Sequence, residues 1–166
     1  MRWLVTLSML MSGAASAQPG ATSAYTSLDL DRCQHIERGE EPQSASWRCK
    51  GYGGIALFVQ NGDDRYDVDA GVEDRDELWG DAFDYPGKTV EWRLSGGKPF
   101  AIIYRLVDAG SRPPRTSMLV VETIGRTGRP GCRIATVTGS KPNANPRARS
   151  AADRVLRSPA TCIQPR

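Results

Sequence analysis

Residues 89–107 read TVEWRLSGGKPFAIIYRLV, and the reading of this stretch decides the fold class. From Thr89 to Leu94 the side chains alternate, with Val90, Trp92 and Leu94 on one face and Thr89, Glu91 and Arg93 on the other. A period of two belongs to a half-buried strand, because successive side chains leave opposite faces of a sheet. Ser95-Gly96-Gly97-Lys98 turns the chain. Phe100 to Val107 then runs apolar on both faces apart from Arg105, as a central strand does. The stretch predicts an antiparallel β protein.

Working outward, short apolar runs recur between turn residues at roughly the 8–12 residue spacing of an antiparallel sheet. Ser46 to Lys50 reads as a short strand ending at Gly51. Ile55 to Val59 stops at Asn61-Gly62, a two-residue hairpin signal, with Arg65 to Val68 as the return strand. Arg112-Pro113-Pro114 breaks the pattern, since proline lacks the amide that a ladder needs. Met118 to Ile124 and Cys132 to Thr138 supply two further strands. Helical spacing emerges only near the end. Asn145 reads as a cap and Pro146 as the first helical position; Ala148, Ala151, Ala152, Val155 and Leu156 then repeat at i, i+3, i+4, i+7 and i+8, and Pro159 stops the helix. The expected fold is α+β but mainly β: a single antiparallel sheet of about six strands with one C-terminal helix packed on it.

The chain has 166 residues, 39% of them hydrophobic, so it has room for a core yet is too polar for a membrane protein. No stretch beyond the N-terminus approaches the roughly 18 apolar residues of a membrane span. Residues 1–17 read as a secretory signal: Arg2 gives a positive start, Trp3 to Met11 is mostly apolar, and Ala15-Ser16-Ala17 fits a cleavage site before Gln18. Residues 18–27 read as a flexible leader and 28–166 as a single disulfide-stapled domain, periplasmic or secreted. No cysteine follows the cleavage site, which argues against a lipoprotein anchor.

Export gives the cysteines a meaning. Cys33, Cys49, Cys132 and Cys162 are even in number and none lies in a CxxC pair, so two disulfides are expected rather than a zinc ribbon. A helix of ~18 Å running back along a final strand of ~20 Å would bring Cys162 beside Cys132. That choice leaves Cys33 to pair with Cys49 across the polar stretch from Glu37 to Ser44.

A set of motifs in order carries a resemblance. Tyr25-Thr26-Ser27-Leu28-Asp29-Leu30, Trp47-Arg48-Cys49-Lys50-Gly51-Tyr52-Gly53-Gly54, Glu91-Trp92-Arg93, Phe100-Ala101-Ile102-Ile103-Tyr104-Arg105, Asn143-Ala144-Asn145, Ala151-Ala152-Asp153 and Cys162 together resemble a group of small exported bacterial proteins of unknown function. The resemblance covers most of the mature chain except residues 69–88. It implies a bacterial, periplasmic protein and brings no catalytic residues with it.

Motifs of defined chemistry are missing from the sequence: there is no GxSxG elbow, P-loop, GxGxxG fingerprint or HExxH. The one histidine, His35, has no neighbouring nucleophile and reads as a surface or strand residue rather than a general base. Residues 61–81 hold nine acids against Arg65 and Arg75, a net of −7. Asp67, Asp69 and Glu73 there echo a calcium loop, but the EF-hand glycine and terminal acid are missing, so the segment reads as a solvated acidic loop. Residues 111–166 hold eleven Lys or Arg against Glu122 and Asp153, a net of +9, suited to anionic polymers. Export argues against nucleic acid. Gly51-Tyr52-Gly53-Gly54 reads equally as a tight turn or as a contact surface.

The functional expectation is therefore a non-catalytic binding or inhibitor module, not an enzyme, with no cofactor and no metal. Its binding residues would be Tyr52, Gly53 and Gly54, with Trp79, Phe83 and Tyr85 of a 71–87 loop, against an unknown protein partner. The alternative is an envelope-associated protein that holds anionic surface polymers through its arginine-rich C-terminal third.

Overall fold

The computed structural model describes residues 20–36, 44–62, 64–74, 84–108, 110 and 117–163. The expected signal, Trp79 and Phe83 lie outside the described residues. Nine strands are described: β1 (Thr22–Ser27), β2 (Gln34–Ile36), β3 (Ala45–Lys50), β4 (Ala56–Gly62), β5 (Arg65–Ala70), β6 (Asp84–Ser95), β7 (Lys98–Asp108), β8 (Ser117–Thr123) and β9 (Arg133–Thr138). One α-helix, α1 (Ala144–Asp153), follows them.

Mainly β with a C-terminal helix is what the structure has, but the single sheet is not. The strands divide into a five-stranded sheet, β1-β6-β7-β8-β9, and a four-stranded sheet, β2-β3-β4-β5, with every pairing antiparallel. The reason is burial. Leu57, Val59, Tyr66, Val68 and Ala70 from the small sheet meet Val90, Trp92, Ile102, Tyr104, Leu106 and Val120 from the large one in a shared core. Ala101, Ile103, Leu119, Val121 and Val137, on the other face of the large sheet, are covered by Ala144, Ala148, Ala151 and Ala152 of α1. Three layers bury three apolar faces that one sheet and one helix could not. The central position of β7 and the alternation of β6 are as the sequence reads.

At one edge the sheets are stitched by backbone. The Gly125 amide donates to the Ala70 carbonyl at 2.8 Å. A side chain on Gly71 would lie 2.4 Å from the Gly125 carbonyl oxygen, so the approach requires glycine.

Four local expectations need correction. The leader is not free, since Thr22–Ser27 is β1, paired along its length with β6, and the Trp92 indole donates to Thr26 Oγ1 at 2.8 Å. The β4–β5 hairpin pairs out to Gly62 and Arg65, so Asn61-Gly62 belongs to the strand rather than the turn, and Asp64 has φ 57°. Helix α1 begins at Ala144, one residue before the expected cap, and Asn143 at the cap makes no side-chain bond. It ends at Asp153 in a short 3₁₀ turn, Arg154–Leu156, so Val155 is half-buried and Leu156 is 39% exposed rather than docked.

Both disulfides pair as expected, Cys33 with Cys49 and Cys132 with Cys162. Beside the second, the Ile163 amide donates to the Arg133 carbonyl at 2.8 Å.

Candidate functional site

Three groups of side chains concentrate the chemistry, one between the sheets, one under the helix and one at the open end of the small sheet.

Between the sheets lies a sealed polar cluster. Asp67 of β5, Tyr104 of β7, Glu122 of β8 and Arg133 of β9 are all buried. Arg133 reaches this face through a bulge: Val121 pairs with Ala135 but Glu122 with Arg133, so Ile134 is skipped and the guanidinium is turned inward. Its Nη2 lies 3.1 Å from Asp67 Oδ1, 3.0 Å from the Tyr104 hydroxyl and 3.3 Å from Glu122 Oε1. The Tyr104 hydroxyl is 3.0 Å from Asp67 and 2.9 Å from Glu122, so its single proton serves one carboxylate at a time.

Asp69, two residues along β5, accepts from the Asp74 amide at 2.9 Å and from Gln60 Nε2. Burial is the first cause of every carboxyl shift here. It drives Glu122 well above the ordinary range and raises Asp67, against the pull of Arg133. Asp69 is pushed up to about 8 by burial and then by the Asp67 charge. Asp67 and Asp69, expected in a solvated acidic loop, are thus buried on β5. Asp67 is spent on Arg133 and Tyr104, and Asp69 on the chain's own amide groups. The cluster can hold and redistribute protons, and all four of its side chains are buried.

Under the helix, Arg93 forks onto Asp153, its Nη2 at 2.8 Å from both carboxylate oxygens. Arg149 Nε lies 2.6 Å from Glu91, and its Nη2 donates to the Tyr25 hydroxyl at 2.9 Å. Glu91 and Arg93, expected on the solvent face of β6, are buried because α1 lands there and answers each with the opposite charge. Two carboxylates and two guanidinium groups close the charge.

At the open end of the small sheet four rings stand in a row. His35 of β2 is 5.5 Å from Trp47 of β3, Trp47 is stacked 6.3 Å from Tyr66 of β5, and Tyr66 is 5.0 Å from Tyr85 of β6. His35 and Tyr85 are exposed, Trp47 half-buried and Tyr66 buried. Burial, with the Tyr85 ring adding, pushes the Tyr66 phenol up to about 12, so it stays a neutral hydroxyl.

The expected binding residues are only partly brought together. Tyr85 stands on a strand rather than on a 71–87 loop, 51% exposed, and joins the aromatic row. Tyr52, half-buried, packs on the core with its ring centre 6.3 Å from that of Trp92. Gly51 is glycine because a side chain there would meet the Ile55 carbonyl oxygen at 2.3 Å and the Trp92 ring at 2.5 Å. Gly53 and Gly54 are exposed, with φ of 60° and 83°. A tight turn accounts for Gly53 and Gly54, and close approach for Gly51.

The row of His35, Trp47 and Tyr66 was not read as a site from sequence. Its only signal there is that each of these residues sits in a segment of strand character. Among the described residues no group of three or more His, Cys, Asp or Glu is placed to hold a metal ion. Nor is any described helix long and apolar enough to cross a membrane, and the two disulfides are compatible with an extracellular or periplasmic location. The chain matches no protein-family model, no curated protein and no solved structure.

Proposed function

We propose that the protein is an exported, non-catalytic recognition module whose binding surface is formed by His35, Trp47 and Tyr85, backed by the buried Tyr66. The observation that carries this reading is the row itself: four rings in mutual contact, spanning from the small sheet to β6, with both ends open to solvent. Rigid aromatic rings give large contact area at low entropic cost, which is why they dominate the energetic centres of protein interfaces. The strongly shifted carboxyls, by contrast, are sealed between the sheets, out of a ligand's reach.

A second reading, attraction of anionic envelope polymers to the basic C-terminal third, draws on the exposed Arg126, Arg129, Arg147, Arg154 and Arg157. Arg133 and Arg149 are already committed to internal carboxylates, which weakens that attraction. Capture from a periplasmic extract separates the two. A discrete partner that survives moderate salt and is lost with Tyr85→Ala supports the module. Retention that vanishes with salt and ignores Tyr85→Ala supports the polymer reading and rejects the aromatic surface.

A further inference from the structure

A cleft of about 320 Å³ opens on the helix side of the large sheet, away from the aromatic row. It lies at an irregularity in β6: Pro86 pairs with Leu106 and Val90 with Tyr104, so residues 87–89 are three against the single Arg105. Helix α1 begins beside the gap and leaves it uncovered, with Asn145 and Arg149 forming one wall and Lys88 and Arg105 the other. Ile103 and Leu119 contribute an apolar floor.

The charge balance of this cleft is uneven. Arg149 is neutralised by Glu91, and Glu91's other neighbour, Arg93, by Asp153. Lys88 and Arg105 have no carboxylate partner among the described residues; Arg105 donates only to the Ser117 hydroxyl, at 2.6 Å. Lys88 and Arg105, neither paired with a carboxylate among the described residues, thus line a small cavity with an apolar base, the Arg105 guanidinium resting on Ser117. Bulges that open a sheet in this way recur where a strand re-aims side chains for function. A cavity of this size admits a ring or short chain, and the cations fix one end of it.

We infer that the cleft binds a small organic oxyanion, a carboxylate or phosphate carried on a short apolar body, with Lys88 and Arg105 taking the charge and Ile103 and Leu119 the body. The inference is independent of the aromatic row, and either can fail without the other.

Titration calorimetry of the mature, oxidised protein with phenyl phosphate and with benzoate, at constant ionic strength, tests it and tells the two anions apart. Benzyl alcohol serves as the neutral control. At least one of the two anions should bind, benzyl alcohol should not, and Lys88→Gln should weaken binding at least tenfold. Lys88 is exposed and makes no side-chain bond to another described residue, so this variant keeps the fold; Arg105→Gln should give a similar loss. Amide shifts on titration should centre on residues 87–89 and 145–149. No binding of either anion, equal binding of benzyl alcohol, or affinity unchanged in Lys88→Gln overturns the inference.

Discussion

Arg133 is the residue on which the space between the sheets depends. It supplies the one positive charge among Asp67, Glu122 and the Tyr104 hydroxyl, all of them buried. Such a group is worth little as a net source of stability, but breaking it is expensive. Arg133→Met should therefore cost about 3–5 kcal/mol at pH 7, read from urea unfolding. The loss should be smaller at pH 5, where the stranded carboxyls can take up protons. An equal loss at both pH values would mean that packing, not charge, is what Arg133 provides.

Asp69 gives a second pH signature at the same scale. Its folded pKa of about 8 lies above the unfolded value near 3.8, so the folded state binds the extra proton between those limits. Its stabilisation is full below the unfolded pKa and is lost as pH rises through about 8. The urea midpoint should fall between pH 5 and 8, and Asp69→Asn should flatten that fall. A midpoint that rises over the same range in both proteins would contradict the burial argument. None of this was legible in the sequence. An aspartate two places from another in an acid-rich run looks like solvated surface; Asp69 is held by Gln60 of β4 and the Asp74 amide, and the partners of Asp67 lie on β7 and β9, up to 66 residues away.

Among the elements, those with strong internal periodicity were the legible ones. β6 and β7 were legible as strands because alternation and a continuous apolar run mark strand, although the alternation of β6 did not foretell the burial of Glu91 and Arg93. β1 did not, since Thr22–Ser27 is polar and half-exposed, and its place is decided by backbone pairing to β6 more than by apolar content. For α1 the alanine face was legible and its partners were not. The narrow face suggests a helix that depends on the Cys132–Cys162 staple more than on packing, but Arg93–Asp153 and Arg149–Glu91 clamp it as well. Cys162→Ser should therefore speed amide exchange in residues 157–163 while residues 147–153 keep most of their protection. Adding Asp153→Asn should release the helix too, since it removes half of the Arg93 clamp and costs about 1.5–3 kcal/mol for a charged hydrogen bond. Equal exposure of helix and tail in Cys162→Ser alone would make the disulfide the sole anchor.

For the molecule as a whole, the division into two sheets could not be read from local patterns. Strands were countable one by one, but which face meets which depends on pairings such as β1 with β6 and on the Gly71–Gly125 approach, both long-range in the chain. The disulfides do not join the two layers. Cys33–Cys49 staples the entry of β2 to β3 in the small sheet, and Cys132–Cys162 ties the C-terminal segment to the start of β9 in the large one. What holds the sheets together is the shared apolar core, the Gly125–Ala70 bond and the Arg133 cluster; Cys49 lies in that core, but reduction breaks no covalent link between the layers. Reduction should then lower stability by about 3 kcal/mol per bridge, through the freedom restored to the unfolded chain, without uncoupling the layers. Trp92 is wholly buried between them and reports their contact. In guanidinium, near-ultraviolet circular dichroism and far-ultraviolet circular dichroism should follow one coincident transition, oxidised or reduced, with only the midpoint moving. Early loss of the aromatic signal with strand content retained, in the reduced protein alone, would show instead that the bridges keep the two sheets pressed together.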